Sequence, residues 1–169
     1  MDTLEAIRTI RSVRDFEPRA VPDETITNIL NAGRWSGSSK NTQPWQFILI
    51  RDRDRLIELS HCGDYAEHLT RANLAIALLT EATKRAAYDS GRCSQNMMLA
   101  AWNEGVGSCI ASMHREADAR RVLGVPDEYT IQQVISFGYP TQEYVHAPRK
   151  GGRVALADLV HRETWNKHA

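Results

Sequence analysis

Arg11-Ser12-Val13-Arg14-Asp15-Phe16 sets two guanidiniums on either side of a hydroxyl. Such a group can hold a phosphate, or the anionic edge of a ring, through charge-assisted and often bidentate hydrogen bonds. Taken alone, it is also what a solvated basic turn looks like. A second cluster is Ser36-Gly37-Ser38-Ser39-Lys40-Asn41-Thr42-Gln43-Pro44-Trp45. Its short side chains let the backbone approach a flat ligand, and its amides can bond the ligand's polar edge. Serine-rich loops of this kind are, equally, ordinary connectors. The third cluster, Gly105-Val106-Gly107-Ser108-Cys109-Ile110, puts two glycines between a helix and a strand, a common helix exit.

Other reactive side chains carry less. His61, Cys62 and His68, even with Asp64 or Glu67, match no metal-ligand spacing, so no metal site is expected. Cys109 beside Ser108 has no general base near it in sequence and reads as a buried structural thiol. Met97, Met98 and Trp102 have the spacing of a helix core. Trp35 and Trp45 flank the serine loop and read as packing residues, though a flat ligand would suit either. The chain has no Gly-x-Gly-x-x-Gly fingerprint for a separate dinucleotide site.

The elements that must position these clusters are readable from periodicity. Leu4, Ile7 and Ile10 have the spacing of the inward stripe of a short first helix. Val21-Pro22-Asp23-Glu24 marks the start of a second, with Ile26, Ile29 and Leu30 inward and Gly33 near its end. Trp45 to Ile50 predicts a strand, Arg51 to Arg71 a helical segment broken near Gly63, and Leu74 to Leu79 a central strand apolar on both faces. Asp89 or Ser90 is the expected cap of a long helix to Glu104, followed by a strand from Ser108 to Met113. A helix with early acids Glu116 and Asp118 and late Arg120 and Arg121 should stop at Gly124, before a last strand from Ile131 to Phe137. Helices interspersed with about four strands predict an α+β domain whose mixed sheet carries helices on both faces. The tail from Tyr144 has too little apolar mass to fold alone, and its Val154, Leu156, Leu159 and Val160 need another surface, such as a second subunit.

Composition narrows the function. The 169 residues suit one domain, 1–169, and 21 basic residues balance 21 acidic ones. A net charge of zero argues against nucleic-acid binding and gives no attraction to an anionic membrane. The longest apolar run is too short to span a bilayer, the N-terminus lacks the apolar centre of a signal peptide, and three cysteines without a pairing motif suit a reducing compartment. A cytoplasmic protein is expected.

Taken in register, the clusters resemble a known family. Arg-Ser-Val-Arg-x-Phe at 11–16 is similar to the opening motif of the FMN-dependent nitroreductases, and Ser-Ser-Lys-Asn-Thr-Gln-Pro-Trp at 38–45 to their second. Asn96 to Ala101 followed by Gly-Val-Gly-Ser-Cys resembles their central helix and its exit. Gly-Tyr-Pro at 138–140, Pro148-Arg149-Lys150 and Leu159-Val160-His161 resemble their closing segment.

The resemblance implies a homodimer, an FMN in each of two interfacial sites, and a C-terminal tail packed on the partner subunit. It also implies ping-pong turnover, in which NADH or NADPH delivers electrons and leaves before a small electron-poor substrate (a nitroaromatic, quinone or flavin) enters the same pocket. On this resemblance Arg11, Ser12 and Arg14 contact the phosphate, ribityl chain or pyrimidine edge of FMN. Ser38, Ser39, Asn41 and Gln43 come from the other subunit or flank the ring, Ile110 and Ala111 run along it, and Arg149 lies near the phosphate, with Lys150 and Arg153 as neighbours. The chemistry itself is carried by the flavin. Three departures are visible: Ile10 stands where members often have another arginine, Gly37 stands where proline is common before the serine pair, and the chain is short for the family, so covering insertions are missing. A different segment, such as Tyr65 to Arg71, would then cover the pocket. Alternatives are a flavin-storing or flavin-sensing module with little turnover, which Ile10 favours, and specialised flavin chemistry such as reductive dehalogenation.

Overall fold

A computed structural model describes residues 1–141 and 151–165. Its first helix, α1 (Thr3–Thr9), is capped by the Asp2 side chain, which accepts the Glu5 N–H at 2.9 Å. The uninterrupted apolar run that begins at Leu74 becomes β2 (Leu74–Glu81), buried on both faces. β1 (Gln46–Ile50) and β4 (Tyr129–Gly138) flank it, and β3 (Gly107–Ala111) completes the sheet order β1-β2-β4-β3. All three pairings are antiparallel, which corrects the expected mixed sheet. The physical reason lies in β4. β2 and β3 do run in the same direction, joined by a helical crossover, but β4 inserts between them and pairs antiparallel with both. A parallel bridge, Ser12 to Ser108, adds to the outer edge of β3.

Helices cover both faces. Side chains alternate along β2, so Leu74, Ile76 and Leu78 meet α2 (Asp23–Arg34) and α4 (Lys84–Asn103), through Ile26, Ile29, Met97 and Ala101. Ala75, Ala77 and Leu79 face α3 (Arg53–Ser60) and α5 (Glu116–Leu123), through Leu56, Leu59 and Ala119. Small alanines on that second face let the short helices lie close. Among the described residues, no helix is long and apolar enough to cross a membrane.

Two local expectations need correction. The long helix starts at Lys84, at least six residues earlier than expected, because Thr83 caps it by accepting the Ala86 N–H at 3.1 Å. Asp89 and Ser90 are therefore inside α4 and buried. Leu4 and Ile7 of α1 are 67% and 50% exposed, and the helix buries Ala6 instead. α1 lies beside α4, with Ile10 at its end packed against the core while Leu4 and Ile7 turn outward. The described tail is likewise outward, with Val154, Leu156, Leu159 and Trp165 all exposed.

Candidate functional site

The segment after α1 is a strap laid against the sheet edge. The Val13 N–H donates to the Ser108 carbonyl at 2.8 Å, and Phe16 bridges Pro140 beyond the end of β4. Val13 and Phe16 point inward and are buried, which leaves Arg14 exposed and Arg11 half-buried. The approach is close enough to require a glycine: a Cβ on Gly107 would stand 2.5 Å from Val13 Cγ2. Cluster one is thereby zipped to cluster three.

Cys109 is buried beside the strap, its Sγ 3.6 Å from the Ile110 carbonyl oxygen. Burial pushes that thiol's pKa up, and Arg14 opposes the shift by charge and hydrogen bonding. Nearby lies a buried polar chain. Ser136 Oγ donates to the Cys109 carbonyl at 3.2 Å, so His68 Nδ1, 2.9 Å from Ser136 Oγ, must be the donor in that pair. His68 Nε2 is then a buried acceptor with no hydrogen-bond partner among the described residues. Protonating it would place an unpaired N–H⁺ in the interior. Burial, followed by the charges of Arg14 and Arg71, accordingly lowers the His68 pKa from 6.5 to about 4.

Cluster two is a tight loop between α2 and β1. Ser38 Oγ accepts the Gln43 N–H at 2.8 Å, and the Ser39 N–H donates to Asp89 Oδ2 at 3.0 Å. Lys40, Asn41 and Gln43 have φ of 54°, 54° and 48°, in the left-handed region that side chains other than glycine rarely adopt. Each such residue costs roughly 1–2 kcal/mol. Strain of this kind persists only where the surroundings impose it. The side chains of Lys40, Asn41, Thr42 and Gln43 are exposed. Beside the loop a cleft of about 630 Å³ is lined by Thr42, Pro44, Lys84, Arg85 and Asp89.

In cluster three, Ile110 is 44% exposed on β3 while its neighbour Ala111 is buried, as strand alternation requires. Ser108 is buried, and its Oγ lacks a partner among the described residues.

The register decides which clusters meet. Ser108 pairs with Phe137, which pairs with Leu74, so clusters one and three share the β3 edge near the start of β2. Cluster two leads into β1 at Gln46, opposite Leu79, near the end of β2. It therefore sits at the other edge and the other end of the sheet, three inter-strand steps or about 14 Å away across the strands alone. One chain brings Arg11, Ser12, Arg14, Ile110 and Ala111 together. It does not bring Ser38, Ser39, Asn41 and Gln43 to them. Arg149 and Lys150 lie outside the described residues, and Arg153 is exposed on the tail.

Sequence reasoning misses the part played by two residues. It reads Asp89 as a helix cap and sets His68 aside as a metal ligand. The signal present for Asp89 is its place on the apolar side of α4, in step with Cys93 and Met97. Trp45 packs in the core, while Trp35 is exposed with the Arg34 guanidinium 4.9 Å from its ring centre. A groove of about 800 Å³ runs between α3 and α5, lined by Asp52, Glu58, Asp118 and Arg121. None of the three clusters lies in it.

Comparison with known proteins places this geometry. The sequence model described as the nitroreductase family matches residues 7–79 and 60–139, and so spans all three clusters. The chain belongs to the nitroreductase family. A member from Archaeoglobus fulgidus, named as a candidate NADH dehydrogenase/NAD(P)H nitroreductase, is 32% identical over 177 residues, covering 97% of this chain and 99% of that one. The NADPH-flavin oxidoreductase of Vibrio harveyi is 28% identical over 96% of this chain, but only 75% of its own length is matched. Short nitroreductase-family chains of this size thus exist beside longer ones. A candidate nitroreductase from Desulfovibrio desulfuricans, solved in complex with FMN, superposes with a TM-score of 0.84 at 28% identity, covering 98% of this chain and 99% of that one.

Proposed function

We propose that this chain is an FMN-dependent oxidoreductase that uses NADH or NADPH to reduce small electron-poor organic molecules (nitroaromatics, quinones or flavins) at two sites shared between identical subunits. The observation that carries the reading is the Arg11–Arg14 strap zipped to β3 in a nitroreductase-family fold. The donor set fits FMN. Two guanidiniums and a hydroxyl on a fixed backbone suit a phosphate and a ring edge that gains negative charge on reduction. The half-exposed Ile110 gives a flat apolar surface beside them. When bound, FMN supplies the two-electron chemistry, and the protein supplies position and electrostatics.

In this reading Arg11, Ser12, Arg14, Ile110 and Ala111 of one subunit hold the cofactor, with Arg149 near the phosphate. Ser38, Ser39, Asn41 and Gln43 of a second copy close the site. The separation of the loop from the strap within one chain supports that division, as do the outward apolar residues Leu4, Ile7, Leu156, Leu159 and Trp165. The names of the Archaeoglobus and Vibrio relatives support NAD(P)H as reductant. Reductant and oxidant share one pocket and enter in turn. Three free, buried thiols support a reducing, cytoplasmic setting.

An absorption spectrum of purified protein tests this, recorded before and after anaerobic NADPH or NADH. The expected result is a yellow protein that bleaches. Yellow protein that stays yellow would indicate flavin storage without turnover, and colourless protein that refuses added FMN would overturn the reading. Arg14→Ala should weaken FMN binding by about tenfold, the worth of one charge-assisted hydrogen bond. Unchanged flavin content and reduction rate in that variant would remove Arg14 from the site.

A further inference from the structure

α4 carries a ladder of polar residues that the proposed chemistry does not use. Asp89, Arg92 and Asn96 fall at i, i+3 and i+7, on one side of the helix. Asp89 is 2% exposed, and a carboxylate that deep must find partners. Its Oδ2 accepts the Ser39 N–H at 3.0 Å, and its Oδ1 lies 3.6 Å from Arg92 Nη1. Arg92 lies against Gly37, where a Cβ would stand 2.7 Å from Nη2. One turn further on, Asn96 Nδ2 donates to Ser36 Oγ at 2.8 Å. Three successive rungs therefore grip Ser36, Gly37 and Ser39. The left-handed residues Lys40, Asn41 and Gln43 follow at once, closed by the Ser38–Gln43 hydrogen bond. Asn41 tolerates that backbone and the Gln43 side chain reaches the Asn41 carbonyl at 3.5 Å, but Lys40 and Gln43 have no intrinsic preference for it, so restraint from outside residues 40–43 is needed.

We infer that Asp89, supported by Arg92 and Asn96, is the positioning residue that holds the Ser38–Gln43 loop in its cofactor-binding shape. It touches no cofactor atom and acts through the Ser39 N–H. The inference rests on the reading above that this loop holds FMN.

The test compares wild type with Asp89→Ala, Asp89→Asn and Arg92→Ala. It uses FMN titration of the full chain and amide hydrogen exchange of the 36–44 peptide without FMN. Asp89→Ala should speed exchange in that peptide and raise the FMN Kd about tenfold or more. Asp89→Asn, whose amide oxygen can still accept the Ser39 N–H, should restore both to within about threefold of wild type. A purely structural role for Asp89 would not give rescue confined to the loop and to FMN affinity. Wild-type exchange and affinity in Asp89→Ala overturn the inference. So does a loss of affinity with normal exchange at 36–44. Should Asp89→Ala fail to fold, Arg92→Ala decides: faster loop exchange with weaker FMN binding supports the ladder, and no change in either overturns it. A wild-type protein that binds no FMN defeats the flavin reading, while the exchange arm still decides whether α4 holds the loop.

Discussion

His68 shows how much one buried side chain can impose on the conditions a protein tolerates. Its folded-state pKa, near 4, lies below the 6.5 of the free group. Between those values the unfolded chain binds a proton that the folded chain refuses, so stability is complete above about pH 6.5 and falls as pH drops toward 4. From pH 7 to pH 5 the loss attributable to His68 should be about 2 kcal/mol. Urea unfolding at the two pH values measures it, and His68→Gln should flatten the difference by that amount. A variant with the wild-type pH slope would show that other groups set it. The residue types at the strap are legible in sequence, since Arg-Ser-x-Arg states its chemistry locally. Asp89 and His68 are not, because their importance comes from partners 50 and 68 residues away.

At the scale of elements, two glycines make a controlled comparison. Gly124 ends α5 with φ of 64°, and a Cβ added there would meet nothing within 4 Å, so alanine faces backbone strain alone, roughly 1–2 kcal/mol. Gly107 has ordinary backbone but sits under Val13, so its alanine must push the strap outward, at roughly 1–3 kcal/mol. Denaturant midpoints should rank Gly107→Ala as the more damaging, and it alone should also weaken FMN uptake, because the strap carries Arg14. Equal FMN affinity in the two variants would sever the strap from the site. Element type is readable along much of the chain: an apolar run gives β2, acids-then-arginines give α5, and a glycine ends it. Pairing direction is not, because the insertion of β4 between β2 and β3 is a non-local event that no segment encodes alone. The start of α4 escapes a local reading for a related reason, as two candidate caps lie within a helix that Thr83 has already begun.

For the whole molecule, the exposed apolar residues of α1 and the tail lead to a mass prediction. The chain weighs 19.1 kDa, and light scattering should return about twice that, near 38 kDa, for the flavin-loaded form. A 19 kDa species with full flavin content would defeat the shared-site reading. Sequence hints at this through a tail too thin to fold alone. It gives no hint that the strap and the serine loop lie at opposite edges and opposite ends of one sheet, since distance across strands follows from strand order and register.

That separation has a genetic consequence. If each site takes its strap from one chain and its loop from the other, a lesion in the strap and a lesion in the loop are not equivalent, and they do not fall on the same site when the chains differ. In a mixed dimer of an Arg14→Ala chain with an Asp89→Ala chain, one site inherits both defects and the other inherits neither. Two defective alleles would then complement each other within a single protein, restoring half of the sites, whereas two alleles damaged in the same half never could.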